Sequence, residues 1–327
     1  MLSVLLTSLK IIAMQFPSPV AATWIAELID ATLLGNTDAF ATGINEIHKV
    51  EVGDVCFVDH PKYYDKCLNS AATFIIINNK DVVIPAGKTL LVHDEPFECY
   101  LKIVQHFQPV EKQATSISAT ATIGEGSYIM PNVFIGNHVT IGKNCTIHPN
   151  VSILDYTEIG DNVIIQANTV IGGHAFYYNT KKNREVWYKK MLSCGKVIIE
   201  NDVEIGATCT IDKGVTAATV IGRGTKMDNS IHIGHDTVIG KNCLIAAHVV
   251  VAGGVNIKDG VTLWGQVVVN KTLTIGENAV VLGMSGVVGD IEGNKTYWGV
   301  PAQEASVERR EIVWIKRIPE LWKKVMG

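Results

Sequence analysis

A parallel β-helix of six-residue units, with a small mixed α/β domain before it and a helical tail after it, is the fold this sequence predicts. Two observations carry the solenoid. Counting in sixes from Ile117 meets Ile123, Ile129, Ile135, Ile141, Ile147, Ile153, Ile159, Ile165 and Ile171 without a miss. The beat returns at Ile199, Ile205 and Ile211, then runs from Ile221 to Val287 with an apolar residue at every step. Second, Gly follows the beat at Gly124, Gly136, Gly142, Gly160, Gly206, Gly222, Gly234, Gly240 and Gly276. A period of six suits neither an amphipathic helix nor an alternating strand, so each unit reads as a short strand plus a bend. Three units close one triangular coil, and coils stack at strand spacing, about 4.8 Å. The beat residue points inward, where β-branched side chains fit an extended backbone. Gly beside it is expected to let the chain turn the corner. The whole amounts to about eight coils.

In chain order, residues 1–14 are apolar, interrupted by Lys10, and shorter than the roughly 20 residues a membrane span takes. They read as a disordered leader or an over-extended start, with Met14 as a plausible natural beginning. Residues 15–110 lack the beat and have α/β texture. Helical spacing from Ala21 to Leu34 ends at Gly35, and strand-like runs follow at Val55–Val58, Ala72–Ile77 and Thr89–Val92. Residues 109–116 link this domain to the solenoid, taken as 111–300. Residues 173–198 break the beat with six basic residues against Glu185. Insertions in a solenoid map to loops on a working face. Residues 301–327 read as a helical tail, broken at Pro319, that caps the solenoid's open end.

A chain of 327 residues that is 47% hydrophobic, with net charge −4, reads as a soluble globular protein and does not point to nucleic acid. Seven cysteines without a Cys-x-x-Cys pair indicate neither a zinc knuckle nor a disulfide framework. A reducing cytoplasm is the expected compartment.

The run Asp54 to Tyr63, followed by Leu68 to Ala71, resembles the uridine-binding domain of the UDP-3-O-acylglucosamine N-acyltransferases of lipid A biosynthesis. This family joins such a domain to a hexapeptide solenoid. The resemblance extends through Val203–Ala207, Thr210–Gly214 and Lys226–Asp236. It implies a left-handed β-helix, a hand the spacing alone does not fix, and a homotrimer. It also implies transfer of a (3-hydroxy)acyl chain from acyl carrier protein to the 2-amine of a UDP-3-O-acylglucosamine, with no cofactor of the enzyme's own and no metal. Phe57 and Tyr63 match the aromatics that sandwich uracil, and flat faces suit a base. His60 stands where the family has Asn. The 173–198 loop departs from the family pattern at His174-Ala175-Phe176 and at Lys190–Ser193.

The family's catalytic His, six residues after its Asp-Asn pair, maps to His235, with Asp228 and Asn229 as that pair. The position two after the beat lies near a corner and faces out. Residues 18 apart share a column, so Gly253 and Lys271 follow His235, while Ala247, Gly265 and Gly283 follow Asn229. A histidine suits removal of a proton from an attacking amine. The Gly253 amide is a candidate donor to the oxyanion. Either Asp228 or Asp236 is placed to orient the imidazole. Thr272 stands where the family has a second His. Lys271, Thr272, Gly265 and Gly283 are expected along the acyl and pantetheine groove, with Met284 as its floor. Arg309 and Arg310, with the basic loop, are expected to dock an acidic carrier protein. Competing readings are a paralogue acting on another nucleotide-linked amino sugar, a zinc carbonic anhydrase on the same scaffold, and a non-catalytic scaffold trimer.

Overall fold

The structure, a computed structural model, describes residues 14–326, so most of the expected leader lies outside the described residues. Met14, the last residue of that leader and the plausible beginning named above, opens a strand and is buried. The chain divides into two compact units.

The first unit carries a six-stranded sheet. In chain order its elements are β1 (Met14–Ala21), α1 (Ala22–Ile29), β2 (Thr32–Gly35), β3 (Phe40–Ile44), β4 (Asp54–Val58), a 3₁₀ turn (Pro61–Tyr63), α2 (Tyr64–Leu68), β5 (Phe74–Ile77), β6 (Thr89–Val92) and α3 (Pro96–Phe107). The strand order is β1-β3-β4-β5-β6-β2. Strand β5 is buried along its whole length, as a central parallel strand must be. Its alternate residues serve two cores. Phe74 and Ile76 join α1 and α3, while Ile75 and Ile77 join Cys56, Cys67 and Leu68.

The helix expected through Leu34 stops at Ile29. Asp30 takes a left-handed cap, φ 59°, and Thr32–Gly35 pairs antiparallel with β6. Helix α3 was not foreseen, although Pro96 at its start and the spacing of Phe97, Tyr100, Leu101 and Val104 carry a helical signature.

This unit also contains His174–Lys196 and Lys213–Ala218. The excursion read as a loop on the solenoid is therefore part of the α/β unit. Ala175, Met191, Cys194 and Val215 are buried in the same core as α1 and α3, which anchors the segment by apolar burial. Its middle forms an antiparallel hairpin, Tyr178–Thr180 against Tyr188–Lys190.

The second unit is the solenoid, with parallel sheets of eight, ten and eight strands. The ten-stranded sheet includes a closing antiparallel pair, Thr296–Trp298 with Gln303–Glu304. Beat residues pair with beat residues one coil on, as Ile141 with Ile123 and Ile159. The register survives both excursions, since Ile159 pairs with Ile199 and Ile211 with Ile233.

Interior packing uses a second column that the six-beat did not single out, two residues before each beat. Val133, Val139, Cys145, Val151, Val163 and Val197 are buried there. Three polar members of this column donate to a carbonyl of the next coil: Thr225 to Gly240 (2.9 Å), Thr237 to Ala252 (3.1 Å) and Cys243 to Lys258 (3.3 Å). These three buried groups are thereby satisfied.

The glycine after the beat has a different role from the one expected. Apart from Gly172, the glycines after the beat do not have positive φ. A Cβ on Gly142 would lie 2.5 Å from the Gly160 backbone, so glycine there permits close stacking of coils. The bend is made three residues after the beat, where Asn132, Asn144, Asn162, Asp236 and Asn242 adopt φ between 53° and 61°. Asn and Asp tolerate that region best.

Tyr297 takes the last beat position and is buried, its hydroxyl bonded to the Glu292 backbone. Beyond it, α4 (Ala305–Met326) runs unbroken through Pro319, and among its described residues only Ala305 is buried. The tail thus departs from the solenoid instead of capping it, and the closing strands protect the edge.

Candidate active site

Within the α/β unit, Phe57 and Tyr63 line one cleft of about 570 Å³, together with Asn45, Asp59, Tyr178 and Asn179. Phe57 leaves the end of β4 with its ring braced at 5.3 Å from Tyr100 and 5.9 Å from Phe97. Tyr63, on the 3₁₀ turn, is half exposed. His60 does not line the cleft. Its Nδ1 accepts the Lys62 amide at 3.2 Å and so caps the turn that presents Tyr63, an Asn-like capping task.

The hairpin supplies the opposing wall and is held by ionic contacts that the sequence did not reveal. Asn179 donates to Asp59 (3.2 Å), Arg184 donates to Asn179 (3.2 Å), and Lys181 pairs with Glu95 (2.5 Å). Lys189 pairs with Glu98 (2.6 Å). Three of the loop's six basic residues are thus engaged within the unit. Lys181, Arg184 and Lys189 face carboxylates of their own unit. Residues 95 and 181 are too far apart in sequence for spacing to reveal the pair. The Glu95 carboxyl is held below its ordinary 4.5, first by the hydrogen bond from Lys181.

Within the solenoid, His235 follows the strand His232–Ile233. Its Nδ1 lies 2.8 Å from Oδ2 of Asp236. Asp236 occupies the left-handed corner position, φ 56°, with its side chain 7% exposed. Its amide donates to Thr219 Oγ1 at 2.9 Å. The corner geometry therefore fixes the carboxylate, and the carboxylate fixes the ring. Asp228 accepts the Asn229 amide, 2.8 Å, and does not orient His235. Asn229 accepts the Ala207 amide, 2.7 Å. Both side chains brace backbone amides at their own corner.

The corner position of Asn229 belongs to a recurrent device. The amide two residues after a beat is capped by an Asp or Asn side chain of the next coil: Asn137 by Asp155, Lys143 by Asp161, Lys241 by Asp259. At Gly253 the next coil offers Lys271, whose side chain has no acceptor. Among the described residues, the Gly253 amide has no acceptor within the chain. Gly253 also lies directly against the imidazole, since a Cβ there would sit 2.5 Å from Nε2 of His235.

Thr272 spends its hydroxyl proton on the Lys271 carbonyl (2.7 Å). Lys271 is exposed, its amide capped by Asn270 at 2.8 Å. In the neighbouring column, a Cβ on Gly265 would make only an ordinary contact, 3.5 Å from the Ala247 carbonyl. Coil stacking does not demand a glycine at that position. Gly283 is tighter, at 3.2 Å from the Gly265 carbonyl. Met284 beside it is exposed and left-handed, φ 62°. His232 bonds Thr210 Oγ1 through Nδ1 at 2.8 Å. Arg309 and Arg310 are exposed in the first turns of α4.

Family models match both units. One described as bacterial transferase hexapeptide (six repeats) matches residues 120–155, 138–173 and 218–253. One described as UDP-3-O-(3-hydroxymyristoyl) glucosamine N-acyltransferase matches 41–106. The chain is 37% identical over 294 residues to the UDP-3-O-acylglucosamine N-acyltransferase of Campylobacter lari, covering 85% of this chain and 91% of the relative. The enzyme of that name from Methylobacterium sp. is 30% identical over 93% of this chain and 94% of its own. Among solved structures, Francisella novicida UDP-N-acetylglucosamine acyltransferase aligns with TM-score 0.53 and 26% identity, covering 63% of this chain and 76% of that one. The solenoid is the left-handed parallel β-helix that the hexapeptide resemblance implies. With its α/β unit matched by one family model, its solenoid by the other, and nearly full-length relatives at such identity, the chain belongs to the UDP-3-O-acylglucosamine N-acyltransferase family.

Proposed function

We propose that this N-acyltransferase moves an acyl chain from the phosphopantetheine thioester of acyl carrier protein to the 2-amine of a UDP-3-O-acylglucosamine. The observation that carries the mechanism is the His235–Asp236 pair beside an open Gly253 amide. Asp236 accepts the Nδ1 proton, which leaves Nε2 as the base. The sugar nitrogen attacks the thioester carbon as Nε2 takes its proton, and the oxygen becomes an oxyanion that the Gly253 N–H stabilises. Collapse re-forms the carbonyl and breaks the carbon–sulfur bond. The thiolate leaves with the proton held by His235. The amine attacks directly, so the scheme uses no protein nucleophile, metal or cofactor.

The cleft of Phe57 and Tyr63 supports a uridine site, the bare Gly265 supports a groove for the acyl and pantetheine arm, and Met284 is its proposed floor. Exposed apolar side chains on the solenoid, Leu244, Val250, Trp264 and Val268, support a homotrimer. We place the enzyme in the cytoplasm, where carrier-bound acyl chains are made available.

A second reading, a paralogue for another nucleotide-linked amino sugar, is favoured by His60, which stands where the family has Asn and does not itself line the cleft, and by Thr272. Mass spectrometry of products from candidate UDP-sugars with acyl carrier protein thioesters decides between them. An N-acylated UDP-3-O-acylglucosamine is the expected product. Turnover only with a different amino sugar would select the paralogue, and no turnover with any would leave a scaffold.

A further inference from the structure

Phe57 and Tyr63 offer flat faces to the cleft, and a flat face holds any base without choosing among them. The choice falls to polar groups on the walls. Two side-chain amides line the cleft, Asn45 and Asn179. Asn45 is spent within the chain: its Nδ2 donates to the Lys49 carbonyl at 2.7 Å, and its Oδ1 accepts the Glu46 amide at 3.0 Å and the Thr216 hydroxyl at 2.5 Å. Asn179, on the hairpin strand Tyr178–Thr180, is half spent. Its Nδ2 donates one proton to Asp59 at 3.2 Å, and its Oδ1 accepts one bond from Arg184 at 3.2 Å. One N–H and one oxygen lone pair are left over, side by side. Their order is fixed as well. The Asp59 carboxylate only accepts and the Arg184 guanidinium only donates, so exchanging the amide's oxygen and nitrogen would break both bonds. With side chains only 19% and 22% exposed, Asp59 and Arg184 hold the amide largely out of water, where such bonds are stronger.

We propose that Asn179 reads the edge of the nucleotide base and selects uracil over cytosine, with Asp59 and Arg184 as the positioning residues that keep its amide in one orientation. The inference rests on the uridine reading of the cleft and deepens it. Uracil presents a C4 carbonyl beside an N3–H, an acceptor next to a donor, and the remaining N–H and lone pair of Asn179 match these one for one. Cytosine presents an amino group beside a bare N3, the reverse order. For a base held in one direction by its ribose, cytosine would need the amide turned over, and Asp59 and Arg184 oppose that turn. A site whose polar groups are left unpaired rejects the wrong ligand more strongly than one that differs from it only in shape. The carboxylates of Glu46 and Asp59 accept without donating, so neither can pair with both atoms of that edge. His60 is no rival, since it does not line the cleft and its Nδ1 is taken by the Lys62 amide.

Calorimetric titration of the full-length protein with UDP and with CDP tests it. Wild-type protein should bind UDP at least about tenfold more tightly than CDP. Asn179→Leu should weaken UDP about tenfold and leave the two nucleotides equal, since stacking does not distinguish them. In a second variant, Asp59→Asn with Arg184→Gln, both partners can donate or accept, so the amide is free to turn. That variant should gain affinity for CDP and lose the preference, a change that mere loss of structure would not produce. Circular dichroism verifies the fold of each variant. Phe57→Ala separates the inference from the reading beneath it, because it should weaken UDP and CDP alike. If UDP does not bind, or binds Phe57→Ala as it binds wild type, the uridine site and this inference fall together. If Phe57→Ala weakens both nucleotides while Asn179→Leu keeps the wild-type preference, the role of Asn179 falls alone. A doubly substituted protein that prefers UDP as strongly as wild type overturns the lock.

Discussion

His235 and Asp236 are adjacent in sequence yet face one another, Nδ1 to Oδ2 at 2.8 Å, because Asp236 adopts the left-handed conformation at the coil corner. An ordinary extended backbone would send neighbouring side chains to opposite faces. The bend that closes each coil thus also builds the dyad. Replacing His235 by Ala should lower kcat by about 10²–10⁴, the range for a positioned acid–base group. The melting temperature should hardly change. Asp236→Asn keeps a residue that tolerates positive φ, so it isolates the carboxylate and should cost kcat without unfolding the corner. Asp228→Asn should be nearly silent. A His235→Ala enzyme that turns over near the wild-type rate would remove the dyad from the mechanism.

Gly253 and Gly265 separate packing from function. Gly253→Ala places a methyl 2.5 Å from Nε2, so the imidazole must move. We expect kcat to fall by about 10² or more, since small misplacement of a catalytic group has that effect. In Gly265→Ala the new methyl meets ordinary space, so stability should hold while the KM for the acyl donor rises. Equal loss of folding in both variants would deny the distinction.

How far the sequence could be read depends on which interactions are periodic. The shaft was legible because Ile135, Ile153 and Ile171 repeat one environment. The purpose of the glycines was not, because a clash between Gly142 and Gly160 is a distance between coils and not a local preference. The scattered cysteines acquire order only in three dimensions, where Cys145, Cys209 and Cys243 share the inward column two before the beat. His235 was found by its motif. Asp236 could not be chosen over Asp228 until the corner's φ was known. The Glu95–Lys181 contact joins segments whose separation carries no pattern.

Met284 tests the groove. It is exposed and strained at φ 62°, a conformation that glycine adopts without penalty. Met284→Gly should therefore leave the melting temperature nearly unchanged. The acyl preference should move toward longer chains, read by competition between carrier-bound thioesters of different length. An unchanged profile would take Met284 out of the floor.

Arg309 and Arg310 carry the part of the docking expectation that lies outside the hairpin. Reversing both to Glu should raise the KM for acyl carrier protein and flatten its salt dependence, with kcat preserved. A KM that stays put would leave these arginines as solvated surface.

The hairpin wall of the nucleotide cleft should respond to acid. The folded Glu95 carboxyl lies below its ordinary 4.5, chiefly through the hydrogen bond from Lys181, with the Lys181 and Arg184 charges adding to it. A depressed folded value stabilises the folded state above pH 4.5, and this contribution is lost as pH falls through the lower value. Amide exchange across 178–190, corrected for its intrinsic pH dependence, should accelerate in that acid window. At neutral pH, Glu95→Gln should already show faster exchange there, because a neutral amide keeps the shape and removes the charge. Its KM for the nucleotide sugar should rise several-fold, since Tyr178 and Asn179 line the cleft. The solenoid should melt as before. If Glu95→Gln exchanges and binds like wild type, the latch does not hold the wall, and the buried anchors Met191 and Cys194 suffice.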